Sequence, residues 1–188
     1  MADNQFNIAL SHGALAASSG WSLVQCMDLK FARIAFGLYL VNGVVGLVTY
    51  GNNSLRLYKM YTVVSQGTLL VVLPLIATQL YINQGFDYHL ALFNLCFPVV
   101  HCLVLQLARL KHSRVPFLEL LQCIPLFSIA YISLIHFRYY GLSVVISYTI
   151  SFYLIGTTGM IYSTPAKDLF NISILFANYF TLNALRGF

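Results

Sequence analysis

The sequence predicts an all-α fold, a polytopic helical bundle integral to a membrane, and three observations predict it. Of the 188 residues 59% are hydrophobic and only 8% charged, with a mean hydropathy of +0.78; a soluble domain is ~45–50% apolar and ~25% charged. Apolar runs near the ~20 residues that a helix needs to cross a ~30 Å hydrocarbon layer recur along the whole chain. Basic residues collect where those runs end, as Lys30 and Arg33, Arg56 and Lys59, then Arg109, Lys111 and Arg114, where long cationic side chains snorkel to the headgroups. A chain this apolar has too few polar side chains to cover a folded surface in water, which excludes a soluble domain and a disordered tail. The net charge of +5 is spread over span ends and forms no nucleic-acid patch, so no nucleic-acid partner is expected.

Seven segments are long and apolar enough in sequence to span: 7–26, 31–50, 60–83, 88–109, 116–136, 140–162 and 168–186. The first is rich in Ala, Gly and Ser, and the last holds three asparagines. Either could instead lie flat in the interface, so the expectation is six to seven spans. Turn-forming residues punctuate the series, Gly51-Asn52-Asn53-Ser54 after the second segment, Asn83-Gln84-Gly85 after the third and Ser163-Thr164-Pro165 before the last. Connections this short make consecutive helices antiparallel neighbours, which predicts a single bundle domain over 1–188. With seven spans Arg56, Lys59, Arg109, Lys111, Arg114 and Lys167 fall on the N-terminal side and Lys30, Arg33, Arg138 and Arg186 on the other. That majority predicts a cytosolic N-terminus, and it places the sequon at Asn52 in the cytosol, unmodified. Tyr50, Tyr61, Tyr81, Tyr88, Tyr139, Tyr140 and Tyr162 near the span ends read as an aromatic belt.

Polar and small residues inside a span tend to face other helices. Ala9, Gly13 and Ala17 repeat at four-residue spacing on the first segment, and Ser143, Ser147 and Ser151 on the sixth with Gly159 further along, which reads as two packing seams. The last segment places Asn171, Ile174, Asn178 and Thr181 on one face, and the second places Ala35, Asn42 and Gly46 together. Pro74, Pro98 and Pro125 fall near the middle of three successive spans, where they predict packing kinks or a midplane binding site. Ionisable groups at such depth point to sites. The candidate intramembrane polar site is His101, Asn94, Gln122, Glu119, His12 and Asn178, with an ion pair from Glu119 to Arg109, Lys111 or Arg114 as the plainer account of that carboxylate. The chain has no HExxH, GxSxG, HxxxH or GxGxxG, and Cys26, Cys96, Cys102 and Cys123 show no CxxC spacing. No catalytic residue, cofactor or metal is therefore expected. Cys26 lies near an interface and is a lipidation option.

Ala9-Leu10-Ser11-His12 at the head of a small-residue helix, Leu73-Pro74-Leu75 followed by Asn83 and Gly85, and Lys167-Asp168 before a last helix with Ala184-Leu185 together give the chain its family likeness. In these features it resembles the transmembrane protein 276 family over nearly its whole length. The resemblance implies a small multi-pass membrane protein without an assigned activity, and it implies no catalytic or binding residue. The expected function is that of a non-catalytic accessory or structural subunit of a larger membrane assembly, with membrane lipids and other integral membrane subunits as partners. The alternatives are a small transporter, channel or lipid-handling protein with a midplane cavity, or an intramembrane lipid enzyme using His101 or His12 with Glu119. Lacking a cleavable leader or a sorting address, the chain is expected in the endoplasmic reticulum membrane, with the plasma membrane as the alternative.

Overall fold

The computed structural model describes residues 2–52, 55–96, 100, 114–162 and 164–187, the side chains of 2–4, 55 and 114–121 excepted. The chain is nearly all helix. Seven helices follow in order: α1 (Ala2–Gln25), α2 (Lys30–Asn52), α3 (Leu55–Asn83), α4 (88–96), α5 (Arg114–Ile135), α6 (Tyr139–Thr149) and α7 (Ala166–Arg186). A π-helical segment, Ile150–Ile155, prolongs α6, and an antiparallel pair of two-residue strands, β1 (Met160–Ile161) and β2 (Thr164–Pro165), leads into α7.

Local sequence accounts for the helix ends. α7 has Asp168 in its first turn and Arg186 in its last, complementing the helix dipole, and it stops at Gly187, whose φ of 82° is the left-handed cap that glycine adopts most readily. The sixth segment was expected to run helical over 140–162, but the helix ends at Ile155. Gly156 and Gly159 take φ of 69° and 91° there and turn the chain into the strand pair. Gly159 is thereby removed from the seam on which the sequence places it. Among the described residues two helices, Lys30–Asn52 and Arg56–Asn83 of α3, are long and apolar enough to cross a membrane, and Gln122–Ile135 and Tyr139–Ile155 are shorter apolar helices.

Among the described elements the helices form a ring. α1 packs on α2, α2 on α3, α3 on α5, α5 on α6 and α6 on α7, and α7 returns to α1. α4 is tied to α3 by the Thr78 hydroxyl, which donates to the carbonyl of Ala91 at 3.1 Å. Inside the ring Phe36, Leu73, Ile76, Ile129 and Ile174 are fully buried, and Tyr39 and Tyr148 join α2 to α6 through their hydroxyls at 2.9 Å. The interior also takes in many polar side chains, whereas the outer surface exposes Trp21, Val63, Phe127 and Leu154, each more than 60% accessible.

The tightest approach is α1 on α2. A Cβ added at Gly43 would lie 2.8 Å from the backbone nitrogen of Ala16, an atom that cannot move aside. The expected seam of Ala9, Gly13 and Ala17 is thus displaced by one residue: Ala9 is buried, but Ala17 is exposed and Ala16 makes the contact. A helix buries positions three and four apart, and the face that meets α2 and α7 runs through Ser11, His12, Leu15, Ala16, Ser19 and Ser22. At one end of the ring Gln79 accepts from the Phe31 amide at 3.0 Å and donates to Asn83, which donates to the carbonyl of Leu185. One side-chain chain thereby serves an orphan donor of α2 and an orphan acceptor of α7.

Replacing Gly43 by Ala forces α1 and α2 apart and is expected to lower stability by about 1–3 kcal/mol. Gly37→Ala, where nothing lies within 4 Å of the new methyl, should be neutral or slightly stabilising by helix propensity. Thermal unfolding of the two purified variants in the same detergent compares them.

Candidate functional site

The polar side chains of the ring gather where α1, the C-terminal turns of α2, the N-terminal turns of α3 and the N-terminus of α7 meet. Ser11 and His12 are consecutive on α1, about 100° apart around the helix, so they serve different neighbours. His12 turns to α2 and α3 and is completely buried. Gly46 makes the room, because a Cβ there would fall on the imidazole edge that carries Nδ1. Tyr50, one turn further along α2, stacks on the His12 ring at 5.6 Å, and Tyr61 of α3 meets it edge-on at 5.2 Å. The two tyrosine rings are themselves 5.6 Å apart, so the three rings form a cup. Lys167 closes it: its Nζ lies 4.2 Å from the centre of Tyr61 and 5.5 Å from that of Tyr50, within range of a cation–π attraction. Neither nitrogen of His12 has a hydrogen-bond partner, and Lys167 makes no ion pair among the described residues.

Ser11 faces α7. Its hydroxyl oxygen lies 3.1 Å from Asp168 Oδ1 and 2.9 Å from the carbonyl of Ile8, two acceptors for one proton, and it accepts from Asn171 Nδ2 at 3.0 Å. Two turns on, Asn178 donates to Ser19 at 3.0 Å and to Ser18 at 3.3 Å. The face of α7 expected from the sequence is present, with Asn171, Ile174, Asn178 and Thr181 all buried, as is that of α2, with Ala35, Asn42 and Gly46 buried. The serine seam of α6 is divided in its roles. Ser151 is buried and meets Ser173 of α7 at 2.6 Å, while Ser143 and Ser147 are half-buried, and Ser143 spends its hydroxyl on the carbonyl of Tyr139.

Of the six residues of the expected intramembrane site, His101 and the side chain of Glu119 lie outside the described residues, as do Pro98 and the basic groups expected to pair with Glu119. The other four do not converge through hydrogen bonds. Asn94 donates to the carbonyl of Ala91 on its own helix, Gln122 to that of Leu69 on α3, and Asn178 to the serines of α1. The Gln122 bond at 2.7 Å falls beside a gap in the α3 ladder: Pro74 has no N–H to offer Leu70, one residue beyond the carbonyl that Gln122 takes. His12 alone belongs to the cup. Lys167 was counted only toward orientation, and Tyr61 and Tyr81 were read as belt aromatics, yet Lys167 is half-buried and both tyrosines are buried. Only the spacing of Gly46 and Tyr50, one turn apart and so on one face, could have drawn Tyr50 to the site. Cys26 is fully buried, which removes it as an accessible lipidation position. An open apolar groove between α5 and α6, lined by Cys123, Leu126, Phe127, Ala130, Val145, Thr149 and Tyr153, offers little polar chemistry.

No bond joins Ser11 to the His12 ring, so the pairing of nucleophile and base that acyl transfer requires is not formed. Among the described residues no group of three or more His, Cys, Asp or Glu is placed to hold a metal ion. Comparison of the chain with protein families, with curated proteins and with solved structures finds no match.

Ser11→Ala removes both cross-helix bonds of that hydroxyl and is expected to cost about 1–2 kcal/mol. Ser18→Ala leaves Asn178 its shorter bond to Ser19 and should change stability by no more than ~0.5 kcal/mol. Unfolding followed by near-ultraviolet circular dichroism in one detergent measures both.

Proposed function

We propose that this chain is an integral membrane protein of six to seven spans that acts as a non-catalytic accessory or structural subunit of a larger membrane assembly. One observation carries the reading: large apolar side chains cover the outer surface, while polar side chains are buried within the apolar core. Trp21, Val63, Phe127 and Leu154 are exposed, while Ser11, Ser19, Asn171, Asn178 and Thr181 are buried. In water such an exterior would be an aggregation surface; against lipid tails or the spans of a partner it is the matching one. Length supports the same reading. α1, α2, α3, α5 and α7 have 21–29 residues, and at ~1.5 Å per residue the shortest reaches about 30 Å.

The membership suggested by the resemblance to the transmembrane protein 276 family is part of the proposal. Two of the three short motifs behind it, Ser11-His12 and Lys167-Asp168, meet in the fold through the Ser11–Asp168 bond. The cytosolic N-terminus and residence in the endoplasmic reticulum membrane belong to it as well. A second reading, a small transporter, channel or lipid-handling protein, is favoured by the amide oxygens of Gln122 and Asn178, which are buried without a donor.

Extraction in mild detergent is expected to yield a complex heavier than 21.1 kDa with one or a few stoichiometric membrane proteins, identified by mass spectrometry. A monodisperse monomer that stays folded alone would overturn the subunit reading. The orientation is read separately. In cells Asn52 should remain unglycosylated, and a sequon engineered at the Asp28 turn should be modified; the opposite pattern inverts the topology.

A further inference from the structure

Lys167 and His12 together leave an electrostatic account unbalanced. The ammonium of Lys167 is held against the faces of Tyr61 and Tyr50 and makes no hydrogen bond or ion pair among the described residues. The carboxylate next to it in sequence, Asp168, is engaged by Ser11 and forms no ion pair with Lys167. Behind the two tyrosines stands His12, with no exposed surface and no partner for either nitrogen. Its Nδ1 edge lies against Gly46, which leaves Nε2 as the nitrogen directed away from α2. A half-buried cation without a counter-ion and an unpaired buried imidazole each raise the free energy of the fold. An anion with several acceptor oxygens relieves both at once.

The ring faces of the cup are already covered by Lys167, so its capacity for a foreign cation is spent, whereas the N–H donors of Lys167 are not. We propose that this cluster between α1, α2, α3 and α7 binds a phosphate group, with Lys167 Nζ and His12 Nε2 donating to its oxygens. Arg56 and Lys59 sit exposed on the first turns of α3, on either side of Tyr58, which packs edge-on against Tyr50 at 6.5 Å. They add positive potential at the mouth. Access runs past the half-buried Tyr50 and Lys167. The phosphate of a phospholipid headgroup and free inorganic phosphate share this chemistry. The inference does not depend on whether the chain serves as a subunit.

The test uses the full-length protein, purified and delipidated in a neutral detergent. Retention of short-chain phosphatidic acid is followed by native mass spectrometry, and inorganic phosphate and tetramethylammonium serve as competitors. Wild type is expected to retain the lipid, and Lys167→Met to weaken it by tenfold or more. Arg33→Met, an exposed cation outside the cluster, should leave it unchanged, and Lys167→Arg should hold it within about threefold. Should Lys167→Met not fold, His12→Phe keeps a ring in the cup, removes the nitrogens and is expected to weaken retention severalfold. Competition by millimolar inorganic phosphate identifies free phosphate as a sufficient ligand. Indifference to it, with lipid retained, identifies the headgroup. Equal retention by wild type and both variants overturns the proposal, as does the absence of binding by either phosphate source. Displacement by tetramethylammonium but not by phosphate overturns it in favour of a cation cage.

Discussion

The hydrogen bonds between the first and last helices are the interaction on which the arrangement depends. In a chain with 8% charged residues the interior is where polar side chains meet, and each one buried without a partner costs about 1–3 kcal/mol. Ser11 answers Asp168 and Asn171, and Ser18 and Ser19 answer Asn178. These pairs are separated by about 160 positions in sequence, and they turn a row of antiparallel helices into a ring. Most other neighbours follow one another in sequence, whereas α3 and α5 do not, and there Gln122 donates to the carbonyl of Leu69. α1 and α7 stand at opposite ends of the helix order, and among the described residues it is there that side-chain cross-links are densest.

Closing the ring places demands on backbone approach. Gly43 lets α2 come to the backbone of α1 at Ala16, and Gly46, three residues on, leaves space for the imidazole of His12. The same two glycines that allow the contact therefore decide that a histidine, and not a smaller side chain, can fill the space behind Tyr50 and Tyr61. The early end of α6 acts at the same level of the bundle. By stopping at Gly156 and turning through the strand pair, the chain delivers the first turn of α7, with Lys167 and Asp168, to the polar side of α1.

The all-helical class was legible in the sequence, because composition and run length both follow from what a helix buries. The faces of α2 and α7 were legible for a related reason: Asn42 and Gly46, or Asn171 and Asn178, share a face at helical spacing whatever they pack on. The seam on α1 was misplaced because small size alone does not say which side of a helix is inside. Ala16 and Ala17 are indistinguishable by composition, and only the position of Gly43 on α2 separates them. The site was mostly hidden for a different reason. His12, Tyr50, Tyr61 and Lys167 come from four helices, and their meeting is set by the ring closure, a long-range fact that no local pattern encodes. The amide nitrogens of Gln122 and Asn94 donate to backbone carbonyls, pairings that no side-chain spacing reveals.

The two ends of the bundle answer their charges differently, and the difference bears on use more than on stability. At one end Arg186 pairs with Asp28 at 3.2 Å, Arg138 donates to the carbonyl of Gly187 at 2.6 Å, and Gln79 and Asn83 serve the ends of α2 and α7. The Arg186–Asp28 pair is exposed to solvent and contributes little, but every donor named there has an acceptor. At the other end Lys167 and His12 have none among the described residues. A core selected for stability alone would be expected to replace an unpaired imidazole with an apolar ring of similar volume, since the cup already supplies apolar walls. Two basic groups without an acceptor, retained where α1, α2, α3 and α7 meet, are what the proposed phosphate site requires, whereas the first end has every named donor answered.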